Sequence, residues 1–322
     1  MRLDHINAPV KEDFQAVNAL IINSLHSQAS LINDLGHYII QGGGKRLRPL
    51  VALLIARACG YNGEYHIHLA AVIELIHTAT LLHDDVVDNA SLRRGHNTAN
   101  NVWGNEAAVL VGDYLYSKAF QILVTVGNLK VMQILADATN IMAEGEALQL
   151  LERHNPAMTE GSYLNVIRSK TAKLFEAATH ICAILSNVDP ETEKAMVQFG
   201  LHFGTAFQLM DDILDYQASP TQTGKNVGTD LAEGKITLPL IYLLQNGNAH
   251  DTTVIREAIR EGGSQHFAAI QKMIVSSKAL EYAKRFAEVE MDRAQKSLDK
   301  LKPSVFREAA LALTQFALQR DH

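Results

Sequence analysis

From Leu69 to Leu82 the chain is Ala, Val, Ile or Leu at most positions, contains no Gly or Pro, and runs straight into Leu82-His83-Asp84-Asp85-Val86-Val87-Asp88. An apolar run of that kind reads as a helix buried nearly all round. On a continuing helix Asp84 and Asp88 share one face, and Asp85 sits to the side. Like charges four residues apart cost a few tenths of a kcal/mol on an ordinary surface, roughly 0.2–0.5. A hard divalent cation reverses that sign, because Mg²⁺ is held by one or two carboxylates together with substrate phosphates. The arrangement occurs twice. Gln208-Leu209-Met210-Asp211-Asp212-Ile213-Leu214-Asp215 again places two adjacent acids, and a third four residues after the first, at the end of an apolar stretch. Two such helices facing each other would make one acidic cage.

Helical periodicity dominates the rest. Helices are expected over 10–24, 30–40, 46–59, 101–124, 130–151 and 159–186. Another opens at Asp189-Pro190, a good N-cap and first-turn pair, and runs to about Tyr216. A segment rich in Gly, Ser and Thr follows over 217–234, then shorter helices over 238–245, 252–261 and 266–276. Two more cover 278–301 and the stretch from Pro303 to about Gln319. No run of alternating strands and no linker divides the chain. The expected fold is all-α: residues 1–322 as one large helical bundle, with central apolar helices around a deep cavity.

Composition narrows the partners. A formal net charge of −6 argues against a general affinity for nucleic acid. Cys59 and Cys182 are the only cysteines and lack metal or redox spacing, which suits reduced, buried thiols. The N-terminus lacks a signal-peptide core, and no uninterrupted apolar run reaches the ~18 residues of a membrane span. A cytoplasmic protein is expected.

Cations gather near the acids. Gly42-Gly43-Gly44-Lys45-Arg46-Leu47-Arg48-Pro49 is a glycine-rich turn entering a helix, either a basic helix cap or a phosphate site. Arg93-Arg94-Gly95 follows the first acidic motif, where two guanidinium forks suit phosphate oxygens. Lys170-Thr171 puts a charge and a hydroxyl inside an apolar helix, by snorkelling or by facing a pocket. Lys225 and Lys235 flank the glycine-rich segment, which suits a lid. His77 lies two turns before Asp84 on the same face and has no zinc spacing. Acids for Mg²⁺, more cations than one monophosphate needs and aliphatic walls point to a diphosphate with a hydrocarbon body.

With these motifs in hand, nearly the whole chain resembles the trans-prenyltransferases, the all-trans isoprenyl diphosphate synthases, and within them the bacterial octaprenyl enzymes of quinone side-chain synthesis. The resemblance rests on Gly43–Pro49, Leu82–Asp88, Arg93–Gly95, Lys170-Thr171, Gln208–Asp215, Gly228-Thr229-Asp230 and Gly234-Lys235. It implies the isoprenoid-synthase helical fold and two or three Mg²⁺ ions bound chiefly by Asp84, Asp88 and Asp211. Asp85, Asp212 and Asp215 would support them. Arg93, Lys170, Lys225 and Lys235 would hold an allylic diphosphate such as farnesyl diphosphate. Lys45, Arg48, His77 and Arg94 would hold isopentenyl diphosphate. Thr171 and Gln208 would face the forming allylic cation, and the released pyrophosphate would take the proton. A homodimer is implied, with at most transient membrane contact at product release. Family members often end on a basic residue; here Arg320 is followed by Asp321 and His322, so no role is carried over to the terminus. A class I terpene cyclase and a non-catalytic partner subunit are the competing readings, and both paired-acid motifs being intact disfavours them.

Product length should be set below the acids. Thr80 lies one turn before Asp84, Ile76 and Ile73 continue that line, and Ala79 flanks it. None is aromatic, so a tail could pass deeper. Leu123 and Leu135 are the expected floor.

Overall fold

A computed structural model describes residues 3–217, 228–262 and 264–319. In chain order, α1 (Leu3–Asn7), α2 (Lys11–Ser24), α3 (Ser30–Gln41) and α4 (Leu47–Ala58) lead into α5 (Tyr65–Val87), the first acidic helix. Then come α6 (Ala99–Trp103), α7 (Asn105–Thr125), α8 (Leu129–Glu152), α9 (Glu160–Ile167) and α10 (Lys173–Leu185). The second acidic helix is α11 (Pro190–Gln217). The last six are α12 (Thr229–Ala232), α13 (Leu238–Asn246), α14 (Ala249–Glu261), α15 (Phe267–Ser276), α16 (Ala279–Ser297) and α17 (Val305–Leu318). The expected all-α fold is the observed one.

Local chemistry explains most boundaries. Asp189 Oδ1 accepts the amides of Glu191 and Thr192, both at 3.0 Å, and Pro190 needs no partner there. The side chains of Asn128, Thr159, Asn248 and Ser304 cap α8, α9, α14 and α17 in the same way. The stretch expected as one helix over 101–124 is broken at Gly104, whose φ of 89° only glycine adopts freely. The 159–186 helix carries a π turn at Arg168–Ala172 between α9 and α10. A two-residue antiparallel ladder, Leu92↔Asn97 and Arg93↔His96, follows α5. Its turn is Arg94-Gly95, both at positive φ (52° and 78°), the twist a tight hairpin requires.

α5 is the central strut. It packs against α2, α4, α7 and α10, while α11 is gripped by α10 and α16. By length and hydropathy alone α5 and α7 could cross a membrane. In this fold 56% and 39% of their apolar windows are buried against neighbours. Close approach around the π turn depends on three glycines. A Cβ at Gly204 of α11 would lie 2.6 Å from Ala172 Cα, and one at Gly200 would lie 2.5 Å from the Phe175 carbonyl oxygen. On α8, a Cβ at Gly145 would lie 2.8 Å from the Lys170 backbone nitrogen. The π turn is thus clasped between α8 and α11.

Gly204→Val should therefore push α10 off α11. Overpacking against backbone costs about 1–3 kcal/mol or more. We expect a clearly lowered thermal unfolding midpoint. An unchanged midpoint would contradict this account of the contact.

Candidate active site

One cavity of about 1460 Å³ opens between the ends of the two acidic helices. Asp84 and Asp88 line it from α5; Asp211, Asp212 and Asp215 line it from α11. Lys45, Arg48, His77, Arg93, Arg94, Lys170, Thr171, Gln208 and Lys235 also line it, so the segments singled out in the sequence converge. Lys225, Arg320, Asp321 and His322 lie outside the described residues.

Asp84, Glu146, Asp88 and Glu233 each meet a cation. Lys170 Nζ lies 3.5 Å from Asp84 and 2.7 Å from Gln149 Oε1, and it pairs with Glu146. Burial and the nearby Asp84 charge raise the Glu146 carboxyl above its usual range. Asp88 accepts Lys235 Nζ at 2.9 Å and the Arg153 guanidinium. Burial would raise Asp88, but Lys235, Lys170 and Arg153 together lower the carboxyl. Lys235 in turn pairs with Glu233 at 2.5 Å. Asp85 departs from expectation. It is 4% exposed, does not line the cavity, and receives Arg93 Nε at 2.8 Å and Nη2 at 2.7 Å. Its place one residue along the helix turns it inward, where it anchors Arg93 from behind.

On the opposite wall Asp212 is 5% exposed and accepts Tyr163 Oη at 2.5 Å and Gln208 Nε2 at 2.7 Å. Burial, then the charge of Asp230, holds it well above the usual carboxylate range. Thr171 Oγ1 donates to Gln208 Oε1 at 3.0 Å, so Thr171, Gln208 and Asp212 form one hydrogen-bonded row. Asp215 accepts the Asp230 amide at 3.2 Å, which ties α12 to α11.

The third group lies under the glycine-rich turn. Arg48 Nη1 donates to His77 Nε2 at 3.0 Å, and its guanidinium carbon sits 4.6 Å from the Phe175 ring centroid. Burial lowers Arg48 to about 10. Burial and the charges of Arg48, Arg94 and Arg93 hold His77 well below its usual range. His77 is therefore neutral, and with Nε2 accepting, its proton is on Nδ1. Arg94 donates to the Gly43 carbonyl, and Lys45 Nζ lies 5.8 Å from the Phe316 ring.

Below the acids the walls turn apolar. His83 on α5 meets Asp113 on α7 at 3.4 Å, and Glu146 on α8 meets Lys170, so these positions share one level. One turn deeper come Thr80, Tyr116 and Met142; a further turn deeper come Ile76 and Thr139. The Thr80 hydroxyl is turned back onto the His77 carbonyl at 2.8 Å. Ala79, Leu123 and Leu135 are wholly buried and do not line the cavity. Ala79 faces the packed side of α5, and the two leucines lie two turns beyond Tyr116 and Met142.

Several lining residues escaped the sequence reading: Glu74, Tyr116, Glu146, Gln149, Arg153, Tyr163, Phe207 and Glu233. Glu74 carried a signal, an acid inside the apolar run three residues before His77. One of its carboxylate oxygens is buried without a hydrogen-bond partner.

Among the described residues no three His, Cys, Asp or Glu side chains converge as a ready-made metal cage. The donor set nevertheless fits Mg²⁺: hard carboxylates on two facing walls, with room between them for phosphate oxygens to complete the shell.

The description "Polyprenyl synthetase" belongs to the family model that matches residues 29–276. The octaprenyl diphosphate synthase of Escherichia coli (strain K12) is 48% identical over 322 residues, all of both chains. The all-trans-nonaprenyl-diphosphate synthase (geranyl-diphosphate specific) of Rhodobacter capsulatus is 44% identical over 316 residues, covering 98% of this chain and 97% of that one. A crystal structure of polyprenyl synthase from Caulobacter crescentus CB15, complexed with calcium and isoprenyl diphosphate, superposes with a TM-score of 0.96 at 39% identity. It covers 100% of this chain and 98% of that one. Motifs, cavity and relatives agree: the chain belongs to the polyprenyl synthetase family of trans-prenyltransferases.

Proposed function

We propose that this chain is a long-chain all-trans polyprenyl diphosphate synthase that extends an allylic diphosphate such as farnesyl diphosphate with isopentenyl diphosphate units to about octaprenyl length for a quinone side chain. The observation that carries this is one cavity joining two acidic walls and their cations to an apolar shaft that continues two turns below the acids. Asp84, Asp88 and Asp211 would hold two or three Mg²⁺ ions, which when bound would supply positive charge against the diphosphate oxygens. Asp212 and Asp215 support them, and Asp85 acts through Arg93. Arg93, Lys170 and Lys235 hold the allylic diphosphate, with Lys225 expected to join them. Lys45, Arg48, His77 and Arg94 hold isopentenyl diphosphate.

The allylic carbon–oxygen bond breaks as its electron pair leaves on pyrophosphate, whose charge meets cations already in place. The Thr171–Gln208 row offers oxygen lone pairs near the carbocation. The alkene of isopentenyl diphosphate forms the new carbon–carbon bond, and pyrophosphate takes the proton that is lost. The product is again allylic, so the cycle repeats. His77 Nε2 is occupied by Arg48, and Asp88 by Arg153 and Lys235, which supports pyrophosphate as the acceptor of that proton.

The protein is proposed to work as a cytoplasmic homodimer. Leu110, Val124, Leu129, Leu150 and Leu151 stand exposed on α7 and α8, Leu129 at 81% and Leu151 at 79%. These exposed apolar side chains on α7 and α8 are where the proposal puts the contact between the two copies. Light scattering should read a mass of two chains; a single-chain mass would oppose the assignment.

Product length follows from the shaft. Incubation with farnesyl diphosphate, isopentenyl diphosphate and Mg²⁺, followed by chain-length chromatography, should give an all-trans product near octaprenyl. Thr80→Tyr should shorten it to about the farnesyl or geranylgeranyl class, because the ring would fill the level shared with Tyr116 and Met142. Leu135→Ala, deeper in the wall, should leave the length unchanged or increase it. A folded, active Thr80→Tyr protein that still makes the full-length product would show that the chain does not grow along this face. A cyclised hydrocarbon from the unaltered protein would reject the synthase reading.

A further inference from the structure

Asp88 is held by two cations at once, Arg153 and Lys235, and its side chain is only 7% exposed. Arg153 is itself 13% exposed, and its Nε is buried without a hydrogen-bond partner. The residue caps the C-terminus of α8. Its neighbour His154 is fastened on both sides: its amide donates to the Gly234 carbonyl at 3.0 Å, and its Nδ1 lies 2.6 Å from the Ile259 carbonyl. The backbone that carries Arg153 is thus anchored, while the guanidinium sits on a long stem inside the diphosphate cavity.

A guanidinium this buried needs an anion in every state of the site. In the structure that anion is Asp88. Arg153 and Lys235 are balanced against Asp88 and Glu233, with the charge of Asp230 acting on Lys235 and that of Lys170 on Asp88. A divalent ion on Asp88 upsets the balance, because it draws off the carboxylate and repels the guanidinium beside it. The anion that then enters the cavity is a diphosphate, whose oxygens accept a guanidinium fork in good geometry.

We propose that Arg153 is a further allylic-diphosphate contact with two positions: on Asp88 while the site is free of metal, and on the diphosphate once the metal has taken Asp88. The unpartnered Nε–H is the donor held in reserve for the second position. This rests on the assignment of Asp88 as a metal ligand made above.

The two positions have consequences of opposite sign. Arg153 competes with the cation for Asp88, so its removal should tighten metal binding to the free protein. It also grips the diphosphate, so its removal should weaken the allylic ligand in the metal-loaded protein. A residue that only buttressed the end of α8 would weaken both or neither.

The test uses the full-length protein with Arg153→Gln and Arg153→Lys. Mn²⁺ binding without substrate is read by electron paramagnetic resonance of the free ion. Farnesyl thiodiphosphate, which does not ionise readily, is titrated calorimetrically at saturating Mg²⁺. Arg153→Gln should bind Mn²⁺ several-fold more tightly and the thiodiphosphate about ten-fold more weakly, the scale of one charge-assisted hydrogen bond. Arg153→Lys keeps the charge and loses the fork, so its shifts should have the same signs and smaller size; it carries the test if the glutamine variant does not fold. Unchanged binding of both ligands, or both weakened together, overturns the proposal. If the unaltered protein fails to bind the thiodiphosphate, the reading of the cavity as a diphosphate site falls, and this inference falls with it.

Discussion

The structure depends on a charge balance inside a largely buried space. Seven aspartates line one cavity, five of them from the paired-acid motifs, together with Glu74, Glu146, Glu152 and Glu233. Left alone they would repel and carry a heavy desolvation cost. Cations from distant parts of the chain meet several of them: Lys170 on Asp84 and Glu146, and Arg153 and Lys235 on Asp88. Tyr163 and Gln208 take Asp212 by hydrogen bonds, and behind the wall Arg93 takes Asp85. Such pairs contribute little net stability. What they provide is a site that tolerates its own acids before the metal and diphosphates arrive.

That balance is positioned by backbone packing. Gly145, Gly200 and Gly204 let α8 and α11 close on the segment carrying Lys170 and Thr171. The π turn at Arg168–Ala172 adds a residue to the helical repeat at that point, a feature frequent at functional sites. A buried carboxylate supports it from the far side. Glu290 on α16 is 4% exposed and holds Arg168 at 3.3 Å, His202 of α11 at 2.5 Å and Arg293 at 3.1 Å. The start of the π turn and the middle of α11 are therefore pinned to one side chain outside the cavity.

What could be read from the sequence was local. The repeated acids, the apolar helices beneath them and the Asp189-Pro190 start each follow from spacing along one helix, and the structure bears them out. Asp85 is instructive: its offset from the face of Asp84 and Asp88 was legible, but its pairing with Arg93 needed the hairpin at Arg94-Gly95. Two-residue strands leave no alternation to detect. Glu146, Arg153 and Tyr163 become site residues only through tertiary packing, and in sequence each is an unremarkable polar residue on or next to a helix. Leu123 and Leu135, the expected floor, are buried below the cavity, and Tyr116 and Met142, which do line it, could not be placed level with Thr80 until α5, α7 and α8 were aligned.

On the proposed function, the facing carboxylates become a complete metal site only when a diphosphate supplies the remaining oxygens. Calorimetric titration of the unaltered protein with Mg²⁺, alone and in the presence of farnesyl thiodiphosphate, tests it directly. The account predicts weak metal binding alone, because Asp84 and Asp88 are already paired with cations, and much tighter binding of more than one ion with the diphosphate present. Tight, stoichiometric Mg²⁺ binding that is indifferent to the diphosphate would contradict it.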